Sequence, residues 1–242
     1  MKLAKLEKQG KIILGNKKPR LRGYYIYMDR IIFLDIDGVL NNAFFFKSKL
    51  RHYLYHEDDG YGMSTMISRY HLFWLGLLCK ITKAKIVLSS SWRYGWNKDG
   101  TVNTEKSGHQ MVLTDKLFRK FGVNIIGITD RGELTLNKNY DYNEDIITEF
   151  NSRQHFKGLE DVCSSREQTL KYARGTQILH WIEQHNFSGS YIVIDDDTES
   201  IQFYKDLDKR LVATKYYSIF GGFRLKHVIK AIKLFKQQEK II

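Results

Sequence analysis

One proline and two cysteines are all that a chain of 242 residues contains of either type. With a single proline and only 18 glycines, there is no room for long Pro/Gly linkers, so the chain is expected to fold as one large domain with its own core. Cys79 and Cys163 stand in unrelated contexts, without the spacing of a zinc site or a redox pair. A disulfide scaffold is therefore excluded, and reduced thiols in a cytoplasmic protein are the expectation. Long apolar runs are also lacking. The longest, "LFWLGLLC" at 72–79, is far short of the roughly 20 residues that cross a bilayer. No clean apolar leader follows Met1, so neither a signal peptide nor a membrane partner is expected. Acids are in the minority: 27 against 39 lysines and arginines, a formal net charge of +12. Such a balance favours anionic partners, nucleotides and nucleic acid among them. No pattern calls for an obligate protein partner.

Residues 1–27 read as a basic extension, with lysine or arginine in almost every short window. Its bland reading is a solvated or loosely docked arm, and its sharper one a nucleic-acid-binding arm. The "GKIILGNK" within it lacks the Lys-Ser/Thr that a phosphate-cradling loop requires, and is rejected as one.

From Ile31 onward, strands alternate with helices. "RIIFLDI", "AKIVLSSS" (84–91), "VNIIGITD" (123–130), "SYIVIDDD" (190–197) and "RLVATKYY" (210–217) are short β-branched runs, read as buried strands. Helical spacing appears at 64–82, with Ser64 or Thr65 as N-cap, and at 113–122, where Gly122 is the stop. It appears again at 175–186, 198–209 and 223–240, the last with a basic face. This alternation predicts a doubly wound, Rossmann-like α/β domain over residues 28–242, a parallel sheet with helices on both faces. Right-handed crossovers bring all strand C-termini to one edge, where such sheets bind ligands. Polar residues close three of the strands: Asp35 and Asp37, Ser89 to Ser91, and Asp195 to Asp197. Residues 131–173 break the alternation and are read as an inserted lid or cap over the crevice.

Several carboxylates at one point repel each other unless a cation resolves them. Magnesium prefers hard oxygen donors and commonly sits between one or two carboxylates and a substrate phosphate. An aspartate can also attack phosphorus covalently, with a second acid moving the proton.

"FLDIDGVL", "IVLSSSW" and "YIVIDDD" closely resemble the motifs of the haloacid-dehalogenase (HAD) superfamily of phosphotransferases, over roughly 29–130 and 174–240. The resemblance implies Asp35 as nucleophile and Asp37 as general acid/base. Asp37 would also serve the metal through its backbone carbonyl. Ser89 best fits the hydroxyl position of the second motif, with Ser90 and Ser91 as rivals. Asp195 and Asp196 fit the acidic fourth motif, so the implied Mg²⁺ ligands are Asp35, Asp37, Asp195 and Asp196. The third motif usually carries Lys; here "LKYARGTQILHWI" offers Arg174, with Lys171 as rival. In finer detail, "IVLSSSWR" and the Arg-Gly-x-x-Ile-x-x-Trp pattern look most like the HAD domains of multi-domain RNA-repair proteins. That likeness implies phosphate removal from nucleotides or phosphorylated nucleic-acid ends. A small-metabolite phosphatase and a non-catalytic binding protein of the same fold are the alternatives.

Other residues carry weaker signals. Arg93 reads equally as a phosphate contact or a surface side chain. Trp92 and Trp96 read as packing, not base stacking. Phe44 to Phe46 read as a hydrophobic plug before a base-stacking surface, and His52, His56, His180 and His185 as packing or surface residues, not metal ligands.

Overall fold

The computed structural model describes residues 30–47, 66–105, 109–130, 134, 136, 139–155 and 166–240. The expectations for residues 1–27, for Ser64 and Thr65 as caps, for His52 and His56, and for Cys163 lie outside them. Within them, five strands form one parallel sheet: β1 (Arg30–Leu34), β2 (Lys85–Leu88), β3 (Ile125–Ile128), β4 (Ser190–Asp195) and β5 (Leu211–Ala213), in the order β3-β2-β1-β4-β5. The helices between them are α1 (Ala43–Lys47), α2 (Arg69–Thr82), α3 (His109–Lys120), α4 (Glu144–His155), α5 (Arg166–Tyr172), α6 (Arg174–Gln184), α7 (Thr198–Gln202), α8 (Lys205–Asp208) and α9 (Leu225–Glu239).

Side-chain alternation splits the core in two. Ile32, Leu34, Ile86, Leu88, Ile192 and Ile194 face one side of the sheet, with Leu72 and Leu75 of α2, Phe118 of α3 and Val228 and Phe235 of α9. Ile31, Phe33, Val87, Tyr191 and Val193 face the other, with Ile178 and Trp181 of α6. A strand buried on both faces reads as continuous hydrophobic sequence, which is why β1 and β4 look as they do. Fully burying each such side chain stabilises the fold by about 1.5–3 kcal/mol.

Helix ends follow local chemistry. Ser68 caps α2 by accepting from the His71 backbone N–H at 3.5 Å. Its far end turns on Lys83, whose left-handed backbone returns its N–H to Cys79 O at 2.8 Å. Cys79 is buried, and burial pushes its thiol up to about 12, so it is unreactive. The single helix expected at 198–209 is instead two, α7 and α8. It breaks at Phe203 and Tyr204, where Phe203 O accepts from Asn143 N at 2.8 Å and Tyr204 pairs with Tyr142. Of the 131–173 insertion, α4 and α5 contribute Ile147 and Leu170 to the core on the α6 face.

Candidate active site

Register and alternation dictate which polar residues meet. Leu34 pairs with Leu88 and Ile194, so Asp35, Ser89 and Asp195 are the next residues of three adjacent strands. All three follow the odd-numbered positions Phe33, Val87 and Val193, which face α6. Backbone bonds continue the ladder through them: Asp35 N to Ile194 O at 3.0 Å and Ser89 N to Leu34 O at 3.0 Å. The side chains that follow greasy residues toward α6 are therefore the acids themselves.

Arg174, the first residue of α6, meets them. Its guanidinium donates to both carboxylate oxygens of Asp195 at 2.7 Å and pairs with Asp35 Oδ1 at 3.2 Å. Gly175 makes this approach possible: a Cβ there would lie 2.6 Å from the Tyr204 ring and 2.8 Å from Ser200 O. Ile178 and Trp181, one turn and two turns on, are buried and anchor the helix. The Arg-Gly-x-x-Ile-x-x-Trp pattern is thus one cation, one close approach and two core anchors. Lys171 belongs to the separate helix α5 and pairs with Glu167 at 3.2 Å; Arg174 is the cation that reaches the acids.

Asp196 completes the cluster. Oxygens of Asp35, Asp195 and Asp196 lie within 4.8 Å of one another, a group that can hold a metal ion. Three carboxylates against one guanidinium leave the cluster negative, and a set of hard oxygen donors suits a divalent cation such as Mg²⁺. Without a metal, burial raises the Asp35 and Asp195 carboxyls above their usual range, while Arg174 works in the opposite direction. Asp196 is pushed up to about 7, by burial first and then by the charge of Asp35 and a hydrogen bond with it. Burial works against the Arg174 charge, yet the flanking Asp195 and Asp35 raise its proton affinity and keep it a cation.

Asp37 is held apart from this cluster. Its Oδ1 accepts from Asn41 Nδ2 at 2.9 Å and its Oδ2 from Trp92 Nε1 at 3.0 Å. Trp92 is therefore more than the packing residue that hydrophobic pattern suggests. Gly38, which follows Asp37, has φ +74°, and a Cβ would fall 2.2 Å from Asp196 Cγ. Only glycine meets both demands. Asn41 also accepts from Gly38 N at 3.1 Å, closing the turn that presents Asp37.

The three serines separate by geometry. The Ser89 hydroxyl is buried with no hydrogen-bond partner among the described residues, an open donor beside Asp35. The Ser90 hydroxyl favours ionised Asp35 and accepts from Trp92 N at 3.3 Å, capping the 3-10 turn Ser91–Gly95. Ser91 is exposed. Arg93 is not at the surface: it is buried, and its Nη1 donates to Ser89 O at 2.8 Å and Thr129 Oγ1 at 2.9 Å, tying the ends of β2 and β3.

Asn42 was not singled out by sequence reasoning, yet it is a buried hub. Its Oδ1 accepts from Phe45 N at 2.8 Å, which orients its Nδ2 toward His71 Nε2 at 3.3 Å. His71 Nδ1 donates to Phe223 O at 2.8 Å. A carbonyl can only accept, so His71 is the Nδ1–H tautomer with Nε2 accepting. The polar pair Asn41-Asn42 ending an apolar run was the available signal for both residues.

The description "HAD domain in Swiss Army Knife RNA repair proteins" matches residues 31–220. The chain belongs to this family. The match takes in the five strands, from the second residue of β1 onward, and the whole acid cluster, and the HAD resemblance of the sequence is thereby established. No curated protein and no solved structure matches the chain. No helix among the described residues is long and apolar enough to cross a membrane.

Proposed function

We propose that this HAD domain is a magnesium-dependent phosphohydrolase that works through an aspartyl-phosphate and acts on nucleotides or phosphorylated nucleic-acid ends. The observation that carries the reading is the division of labour between two acids two residues apart. Asp35 lies in the buried cluster against Arg174 at 3.2 Å, whereas Asp37 is aimed elsewhere by Trp92 and Asn41.

In the first step an Asp35 oxygen attacks phosphorus. The bond from phosphorus to the leaving oxygen breaks, and Asp37 gives that oxygen its proton. In the second step Asp37 takes a proton from water, which attacks the aspartyl-phosphate, frees inorganic phosphate and restores Asp35. Arg174 and the unpartnered Ser89 hydroxyl, with Ser90 beside it, hold the phosphoryl oxygens as charge shifts among them. Asp35, Asp195 and Asp196, with the Asp37 carbonyl, would hold the Mg²⁺, which supplies neutralisation of the phosphate charge. The domain is residues 28–242, with 131–173 inserted between β3 and α6 as cover and 1–27 as a basic extension. The net charge of +12 and the RNA-repair family support an anionic nucleic-acid substrate.

The test is phosphate release with Mg²⁺ from an aryl phosphate, mononucleotides, and RNA and DNA oligomers phosphorylated at the 3′ or 5′ end. Release from a nucleotide or strand end, lost in Asp35→Asn, is expected. Release that persists in folded Asp35→Asn contradicts the mechanism. Preference for small sugar phosphates over every nucleotide contradicts the substrate class.

A further inference from the structure

The segment after β5 is bound to the end of β4 at one point and to the loop that follows β1 at two. Thr214 N donates to Asp195 O at 2.9 Å, Phe223 N to Val39 O at 2.7 Å, and Ala43 N to Tyr216 O at 3.1 Å. The segment is closed upon itself as well. Gly222 N donates to Lys215 O at 3.2 Å and Gly221 N to Ser218 O at 2.8 Å, while Arg224 donates to the carbonyls of Gly221 and Ile219. A loop so tied holds its side chains in place, yet it exposes large apolar ones. Tyr217 is 91% exposed, Phe220 66% and Ile219 62%.

Tyr216 and Tyr217 form a perpendicular pair with ring centroids 4.8 Å apart. Burial first, then the neighbouring Tyr217 and the charges of Asp37 and Asp196, raise the proton affinity of the Tyr216 phenol. The Thr214–Asp195 and Ala43–Tyr216 backbone bonds hold the pair beside the ends of β4 and of the loop that follows Asp37, with the outer ring almost wholly in water. Burying Tyr217 in a core would stabilise the fold; at this position it stands in water against the Tyr216 ring. Rigid exposed aromatics beside a phosphate-binding crevice are the recurring platform for nucleobases, whose π faces stack whatever the base.

We propose that Tyr217, backed by Tyr216, stacks on the terminal nucleobase of a phosphorylated single-stranded end whose phosphate lies at Asp35. This assignment rests on the reading of the crevice as a phosphoryl site. It makes the protein an end reader: Asp35 and Arg174 take the phosphate and the tyrosine pair takes the base, with no base-edge hydrogen bonds needed. Stacking alone gives broad tolerance of base identity and a requirement that a base be present.

The test is binding of fluorescently labelled, terminally phosphorylated single-stranded RNA by anisotropy, beside the same strand with an abasic terminal residue. Turnover of ribose phosphate, which has no base, is followed in parallel. Wild type is expected to bind the base-bearing end about tenfold more tightly. Tyr217→Ala should abolish that preference and leave the abasic strand and ribose phosphate turnover unchanged, while Tyr217→Trp should restore it. Equal binding of base-bearing and abasic ends by wild type, or a preference that survives in Tyr217→Ala, overturns the proposal. Base discrimination without turnover of any phosphate would uphold the stacking site and sink the phosphatase reading. Turnover without base discrimination would do the reverse.

Discussion

Trp92 donates its indole N–H to Oδ2 of Asp37 at 3.0 Å, while Asn41 donates to the other oxygen at 2.9 Å. One acid of the Asp-x-Asp pair thus has both oxygens engaged by neutral donors on residues that the strand pattern alone does not mark. The carboxylate cannot swing toward the cluster of Asp35, Asp195 and Asp196 without breaking both bonds. A hydrogen bond to a charged group is worth about 1.5–3 kcal/mol, enough to set the orientation of a proton carrier.

Trp92→Phe keeps the ring and removes the donor. The expected result is a kcat lowered about tenfold or more toward a small aryl phosphate, with KM little changed, because Asp37 acts on the leaving oxygen and not in binding. Asn41→Ala should act in the same direction. An unchanged kcat in well-folded Trp92→Phe would show that the bond is idle.

Two glycines are predicted to be intolerant for different reasons. Gly38→Ala must place a Cβ on the Asp196 carboxylate at a φ of +74°, so metal affinity should fall while the distant helices stay folded. Gly175→Ala must push α6 from Tyr204 and should lower the melting temperature as well as activity, because Arg174 is carried on that helix. Thermal melts with and without Mg²⁺ separate the two effects. Full metal-induced stabilisation in Gly38→Ala would refute the first.

Stability should depend on pH and metal together. The folded-state proton affinity of Asp196 is raised to about 7 from an ordinary 3.8. A raised carboxyl binds more protons folded than unfolded, so its contribution to metal-free stability is full below about 4 and lost as pH rises through about 7. A metal needs the ionised form, so it competes with that proton. Mg²⁺ should therefore raise the melting temperature more at pH 8 than at pH 6, with apparent affinity falling about tenfold per pH unit below 7 for each proton displaced. An equal shift at both values would contradict the coupling.

His71 should titrate in the opposite sense. Burial lowers it to about 4, against the opposing effect of its bond to Phe223 O. A depressed histidine favours the fold when neutral; that contribution is present above 6.5 and is lost as pH falls toward 4, on the order of 3 kcal/mol over the window. Nitrogen-15 NMR should find Nδ1 protonated and Nε2 bare at pH 7, with a midpoint near 4. The Nε2–H tautomer, or a midpoint near 6.5, would overturn the Asn42–His71–Phe223 arrangement.

Much of this was legible in the sequence because the sheet is buried on both faces. Five β-branched runs and the polar residues that close them follow from that burial, and they place Asp35, Ser89 and Asp195 on one edge. The choice between Lys171 and Arg174 was not legible. It depends on a break at Ala173, whose extended backbone (φ −62°, ψ 138°) separates α5 from α6. Ser89 fits best by position, but the register of three consecutive serines is set only by β2 ending at Leu88. Only then does Ser89 share the side of Asp35, while Ser90 caps the turn. Trp92 was hidden because hydrophobic patterning reads a tryptophan as apolar and overlooks its one donor. The 198–209 helix broke because Asn143 and Tyr142 claim the backbone at Phe203 and Tyr204, a tertiary effect with no local signature.

The central claim is that Asp35 carries the phosphoryl group. The most direct measurement is intact-protein mass spectrometry after acid quench, during turnover of a phosphorylated strand end with Mg²⁺, on wild type and on Asp37→Asn, in which breakdown of the intermediate should be slowed. The account predicts a species heavier by one phosphoryl group, enriched in Asp37→Asn, mapped to the peptide containing Asp35 and absent in Asp35→Asn. Phosphate release at the full rate with no phosphorylated protein in either form, or a phosphoryl group mapped elsewhere, would contradict it.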